Sequence, residues 1–197
     1  LTPPSAIVVG NPATFTLEIS GSDDAAISTF TCSDPQAVFV FPAGTGLGGN
    51  EAMLGNGTHS FLLDTRVTGD LTVTVRVSDG SGHSVQRQCT VTSRYPKFSA
   101  MVQTMSSAAL YSDSPMTLII RSTEYAGDYT VSYTTTSTNC RVSYGGSMLR
   151  PDSPVTLEAG QHIFTANSSY AERTEFIFTI TDIYGQSQQA QASITWR

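Results

Sequence analysis

Lysine is nearly missing from this 197-residue chain, with Lys97 the only one, and charged residues of either sign make up just 13%. The nine arginines are scattered and the formal net charge is −6. Phosphate binding needs clustered cations that release counterions, so this balance argues against a nucleic-acid partner. Long apolar runs are missing too, and no stretch reaches the length of a membrane span. The opening "LTPPSAIVVG" has neither a charged n-region nor a long apolar h-region. It reads as the end of a linker, and the expectation is that a leader or lipid anchor was removed ahead of it. Amphipathic helical periodicity is absent as well, and so are a phosphate loop, a G-x-S-x-G elbow and a C-x-x-C pair. No cofactor is expected.

What fills the chain instead is Ser and Thr, 52 residues together. Its surface must be polar through hydroxyls and amides, a composition that favours strands.

A repeat organises these strands. "VTVRVSDGSGHS" at 73–84 returns as "IFTITDIYGQSQ" at 177–188, which sets Asp79 on Asp182 and Gly82 on Gly185 at an offset of 103. "LGNGTHSF" at 54–61 falls on "LEAGQHIF" at 157–164 with the same offset, sharing L-x-x-G-x-H-x-F. "TFTLEI" at 14–19 lies over "PMTLII" at 115–120 at an offset of 101. Three blocks in one order, at a domain-sized period, predict two domains, 1–95 and 96–197, with Pro96 stiffening the join.

Within each repeat the apolar period is two. Leu71, Val73, Val75 and Val77 alternate with Thr72, Thr74, Arg76 and Ser78, the pattern of a half-buried strand. Asp followed three residues later by Gly then closes a hairpin. The carboxylate bonds amides ahead of it, and Gly takes the left-handed conformation. Seven strands are predicted near 6–9, 13–20, 26–32, 36–41, 58–64, 70–78 and 83–92. Seven more are predicted near 98–104, 115–122, 128–135, 139–145, 161–167, 174–182 and 187–196. The fold class is therefore all-β, two tandem immunoglobulin-like antiparallel sandwiches of about seven strands each. "GTGLGGNEAMLGNG" at 44–57 is expected to be a mobile connection, and without a following helix it is no nucleotide cradle.

The residues that carry chemistry have structural readings beside functional ones. Cys32 and Cys89 could suggest a disulfide worth roughly 4 kcal/mol. On the strand count one strand separates them, and two strand spacings exceed a disulfide's reach. Free thiols are expected there and at Cys140, with pairing between chains the alternative that an odd count leaves open. A nucleophilic cysteine would need a nearby histidine, and only His59, His83 and His162 are available. His59 and His162 occupy equivalent positions in the repeat, which favours a strand-corner role in place of the tyrosine usual in such sandwiches. Asp23, Asp24, Asp64, Asp70, Asp79, Asp113, Asp128, Asp152 and Asp182 fall mostly at turns. They do not form a calcium loop or an evident glycosidase pair. Asn56 and Asn167 head glycosylation sequons that matter only in a eukaryotic secretory route. No catalytic, cofactor or metal residue is assigned, and the binding surface is left open.

"PKFSAMVQTM", "SPMTLIIRSTEYAGDYTVSYTTTSTNCRVSY" and "RTEFIFTITDIYGQSQQAQASITW" together resemble the TraQ-like immunoglobulin-fold family carried by conjugative transposons of Bacteroides relatives. "TFTLEISGS" and "LTVTVRVSDGSGHS" extend the resemblance to the first repeat. It implies a noncatalytic, exported cell-envelope lipoprotein, periplasmic, membrane-anchored or surface-exposed, that contacts other envelope or surface proteins in conjugative transfer. No functional residue is carried over. The alternative is a carbohydrate-binding or adhesin module similar to polycystic-kidney-disease-type repeats, suggested by "VTVRVSDGSG". Tyr111, Tyr125, Tyr144 and Tyr170 are its candidate platform.

Overall fold

In the computed structural model, which describes residues 1–21 and 25–197, every regular element is a strand. The expected turn carboxylates Asp23 and Asp24 lie outside the described residues. Contacts divide the chain into two compact units, Leu1–Pro96 and Lys97–Arg197. Each is an all-β sandwich of immunoglobulin-like kind.

In the first unit the strands are β1 (Ile7–Val8), β2 (Ala13–Ile19), β3 (Ala26–Cys32), β4 (Val38–Val40), β5 (Gly46–Gly48), β6 (Glu51–Leu54), β7 (Gly57–Asp64), β8 (Gly69–Ser78) and β9 (Ser84–Arg94). They form a sheet ordered β1-β9-β8-β3-β6-β5 and a second ordered β2-β7-β4. Alternation puts Leu71, Val73 and Val75 of β8 inward, where they meet Phe15, Phe30, Phe39 and Phe61. Phe30 packs edge-on to Phe61 at 4.7 Å between ring centres. Burying rings of this size contributes about 1.5–3 kcal/mol each, enough to dominate a small core.

The second unit has β10 (Ser99–Thr104), β11 (Ser107–Ala108), β12 (Ser114–Arg121), β13 (Tyr129–Thr135), β14 (Cys140–Tyr144), β15 (Ser147–Leu149), β16 (Val155–Leu157), β17 (Gly160–Ser168), β18 (Arg173–Thr181) and β19 (Ser187–Trp196). One sheet runs β10-β12-β17-β14-β15 and the other β11-β19-β18-β13-β16. Its core gathers Tyr129, Tyr133, Phe164, Phe176, Phe178 and Trp196. Burial of Trp196 leaves its indole N–H needing a partner, and Thr174 Oγ1 accepts it at 3.1 Å.

The stretch 44–57 corrects an expectation. It is not a loose connection: β5 and β6 pair with each other, and β6 pairs with β3 from Ala26↔Leu54 to Thr29↔Glu51. Ala52 and Leu54 are buried while Glu51 and Met53 face out. Four residues with period two sufficed to make a strand despite the flanking glycines. The units differ here, since β15 joins β14 whereas β5 stays on β6.

Candidate functional site

The repeated hairpin turn uses its carboxylates internally. Asp79 Oδ1 accepts the amides of Ser81 at 2.9 Å and His83 at 2.8 Å, and Asp182 Oδ1 accepts those of Tyr184 and Gln186, both at 2.9 Å. Gly82 and Gly185 sit at φ 89° and 82°, a backbone that side chains rarely tolerate. The hydrogen bond from His83, joined by its amide and that of Ser81, holds the Asp79 carboxyl below its ordinary value.

The paired histidines are strand corners. His59 Nε2–H donates to the carbonyl of Gly55 at 2.8 Å, and His162 Nε2–H donates to that of Glu158 at 2.9 Å, four residues back in each case. His162 makes a further contact, Nδ1 to Tyr144 Oη at 3.1 Å. A hydroxyl beside a histidine is the signature of an activated nucleophile, but the proton count here is different. With Nε2–H already donated, neutral Nδ1 is an acceptor and the phenol must donate to it. Neither side chain lines the cavities described below.

The thiols are spread over both units. Cys32 and Cys89 flank Val73 in one row, Cys32↔Val73 and Val73↔Cys89, so one strand separates them and both are free. Burial pushes both thiols up, at Cys32 against opposing hydrogen bonds from the backbone of Asp34 and from Ser33. Cys140 is buried and pushed up to about 11. Thiols shifted this way hold little thiolate, whereas a nucleophile needs the reverse.

The tyrosines separate into two kinds. Tyr125 packs on Tyr129 and Tyr184, and Tyr144 lies against Phe164 at 4.7 Å. Tyr111 and Tyr170 are exposed, 74% and 65%. Both donate backbone amides to Ser168, to its carbonyl from Tyr111 and to its hydroxyl from Tyr170. Asn167 beside them donates to Asp113 at 2.9 Å. Tyr111 is held at φ 59°, an unusual conformation for a ring-bearing residue.

Two more of the predicted carboxylates have side-chain partners. Asp70 accepts from Thr92 Oγ1 at 2.8 Å, and Asp64 faces Arg66 at 3.3 Å. Among the described residues no group of three or more His, Cys, Asp or Glu side chains is placed to hold a metal ion. The sequence reading missed Asp34, which is buried and accepts Thr65 Oγ1 at 2.6 Å and the amide of Gln36 at 2.9 Å. Burial pushes its carboxyl up, but these bonds and one from the Arg66 amide outweigh it and leave the group below its ordinary value. Thr65 lies 31 residues away, and no local pattern announces such a pair.

Among the described residues are two open concavities. One, of about 630 Å³, lies in the second unit by Phe98, Ile120 and Arg121. The other, of about 480 Å³, lies in the first unit between the end of β2 and β8–β9, with Leu17, Ile19, Val75, Val77 and Val85 as apolar walls. Glu18, Asp79, His83 and Arg87 complete its lining.

No protein-family model matches the chain, and no curated protein matches it significantly. Over about half its length it is structurally similar to a conjugative transposon lipoprotein from Bacteroides eggerthii. That match is 16% identical with a TM-score of 0.45, covering 51% of this chain and 98% of that one. It is also similar to a lipoprotein from Bacteroides thetaiotaomicron, 14% identical with a TM-score of 0.46, covering 52% and 82%. A third similarity spans 99% of this chain and 43% of SGBP-B from the Bacteroides ovatus mixed-linkage glucan utilization locus, solved with a mixed-linkage heptasaccharide. It is 11% identical with a TM-score of 0.30.

Proposed function

We propose that this chain is a noncatalytic, exported cell-envelope protein whose two TraQ-like sandwiches contact or space other envelope or surface proteins in conjugative transfer machinery. The observation that carries this reading is the duplication of polar roles. His59 and His162 close the same corner, and Asp79 and Asp182 close the same turn, so the residues most able to do chemistry serve folding in both units. The sequence motifs quoted above supply the conjugative context. A net charge of −6 disfavours the transferred DNA as the ligand. Affinity capture from envelope extract after cross-linking tests the reading. A reproducible protein partner supports it, whereas no protein partner together with tight glycan-array binding refutes it.

One observation favours a second reading, a carbohydrate-binding or adhesin module. Tyr111 and Tyr170, two of its four candidate rings, are exposed and anchored to the same Ser168. Saturable glycan binding lost in both Tyr111→Ala and Tyr170→Ala would establish it.

A further inference from the structure

One strand inside the first unit lacks the neighbour that its counterpart has. In the second unit β14 lies between β17 and β15, and Val142 pairs with both Ala166 and Leu149. The turn that brings β15 back along β14 is two residues long, Gly145 and Gly146, at φ 58° and 81°. An offset of 103 carries β4 onto β14 and β7 onto β17, so Phe39↔Leu63 answers to Val142↔Ala166. Where Gly145 follows Tyr144, Pro42 follows Phe41. The proline ring fixes φ at about −65° and excludes the positive φ that such a hairpin needs. The chain therefore crosses to β5 on the other sheet, and among the described residues no strand lies on the outer side of β4.

The phase of the ladder shows which residue faces that edge. Thr16 exchanges both of its backbone bonds with Thr2, away from β7. Bonded and non-bonded pairs alternate in an antiparallel ladder, so Phe15↔Phe61 and Ala13↔Leu63 are bonded pairs. Leu62 and Asp64 then turn their backbones the other way, to Val40 and Val38. This leaves the N–H and C=O of Phe39 pointing outward. Its ring sits in the core, but Val38 and Val40 lie on the outer face, 54% and 48% exposed, where the second unit has Arg141 and Ser143. Edge strands are usually protected by charge, by proline or by a covering element. Residues 36–41, QAVFVF, contain neither charge nor proline.

We propose that this edge pairs with the same edge of a second copy of the chain, antiparallel, across a two-fold axis at Phe39. The pairing rests on the protein-contact reading above and deepens it, by making one of the contacted proteins another copy. The sequence V-F-V reads the same in both directions, so the edge is complementary to itself. Phe39 exchanges two backbone bonds with the partner's Phe39, and Val38 stands opposite the partner's Val40 on the outer face. On the core side Ala37 stands opposite the partner's Phe41, a small residue against a large one. Charge permits the approach, because Asp64 at the rim already faces Arg66 of its own copy at 3.3 Å. An edge this short falls below the roughly 1,200 Å² of a stable interface, so half-association is expected on the order of 0.1 mM.

Sedimentation equilibrium and an NMR dilution series up to about 1 mM test the pairing. A reversible dimer is expected, with concentration-dependent shifts at Val38–Val40 and Leu62–Asp64. Val38→Lys alone and Val40→Glu alone should each weaken self-association about tenfold, while the unfolding midpoint moves little because both side chains are exposed. An equimolar mixture of the two variants should associate about tenfold more tightly than either alone. Only this register sets position 38 of one chain against position 40 of the other. The proposal is overturned by a chain that stays monomeric at about 1 mM, by a dimer indifferent to both substitutions, or by a mixture no tighter than its components. A monomer alongside a captured envelope partner would remove this contact and leave the protein-contact reading standing.

Discussion

Tyr144 gives its phenolic hydrogen to Nδ1 of His162 across 3.1 Å, a bond set up by the commitment of the other ring nitrogen to the carbonyl of Glu158. The first unit has Phe41 at the equivalent place, so His59 makes its corner bond without this support. His59→Ala should cost about 1 kcal/mol and His162→Ala about twice that. Tyr144→Phe combined with His162→Ala should cost less than the two changes summed, because they share one bond. Urea unfolding followed by NMR in each unit measures all four.

Three thiols and no disulfide should be found. Alkylation under denaturing conditions without reductant should add three groups per chain. In the native state Cys140, pushed up to about 11 by burial, should react more slowly than Cys32 and Cys89. A mass deficit of two hydrogens, localised to a Cys32–Cys89 peptide, would contradict the strand order.

Acid should weaken the first unit. Asp34 and Asp79 both have native values held below the ordinary 3.8. Their contribution is therefore complete above that value and is lost as pH falls through the lowered native values. Asp34→Asn should flatten the loss of first-unit stability as pH falls below about 4, read from urea midpoints at a series of pH values. Thr65→Ala, which removes the 2.6 Å donor to the buried carboxylate, should cost about 1.5–3 kcal/mol at neutral pH.

Leu54 should matter as a core residue. It is 4% exposed on β6, and Leu54→Ala should destabilise the first unit by about 2–5 kcal/mol. Met53→Ala, one residue away and facing out, should change it by less than about 0.5 kcal/mol.

Most of the fold was legible because its grammar is local. The period-two run Leu71–Val77 is β8, and the Asp79–Gly82 turn forms with the bonds expected of it. The strand read at 26–32 is β3 residue for residue. What was missed is short or long-range. Glu51–Leu54 alternates correctly, but four residues among glycines were outweighed by turn chemistry. β15 and β16, three residues each, are too short to show a period. Asp34 and Thr65 meet only after the sandwich closes.

Photo-cross-linking in the intact envelope tests the protein-contact account most directly, with a photoreactive side chain placed in turn at Glu18, Thr90 and Tyr170. Discrete adducts to another protein are the predicted result. Absence of protein adducts from every position, with saturable glycan binding that depends on Tyr111 and Tyr170, would contradict it.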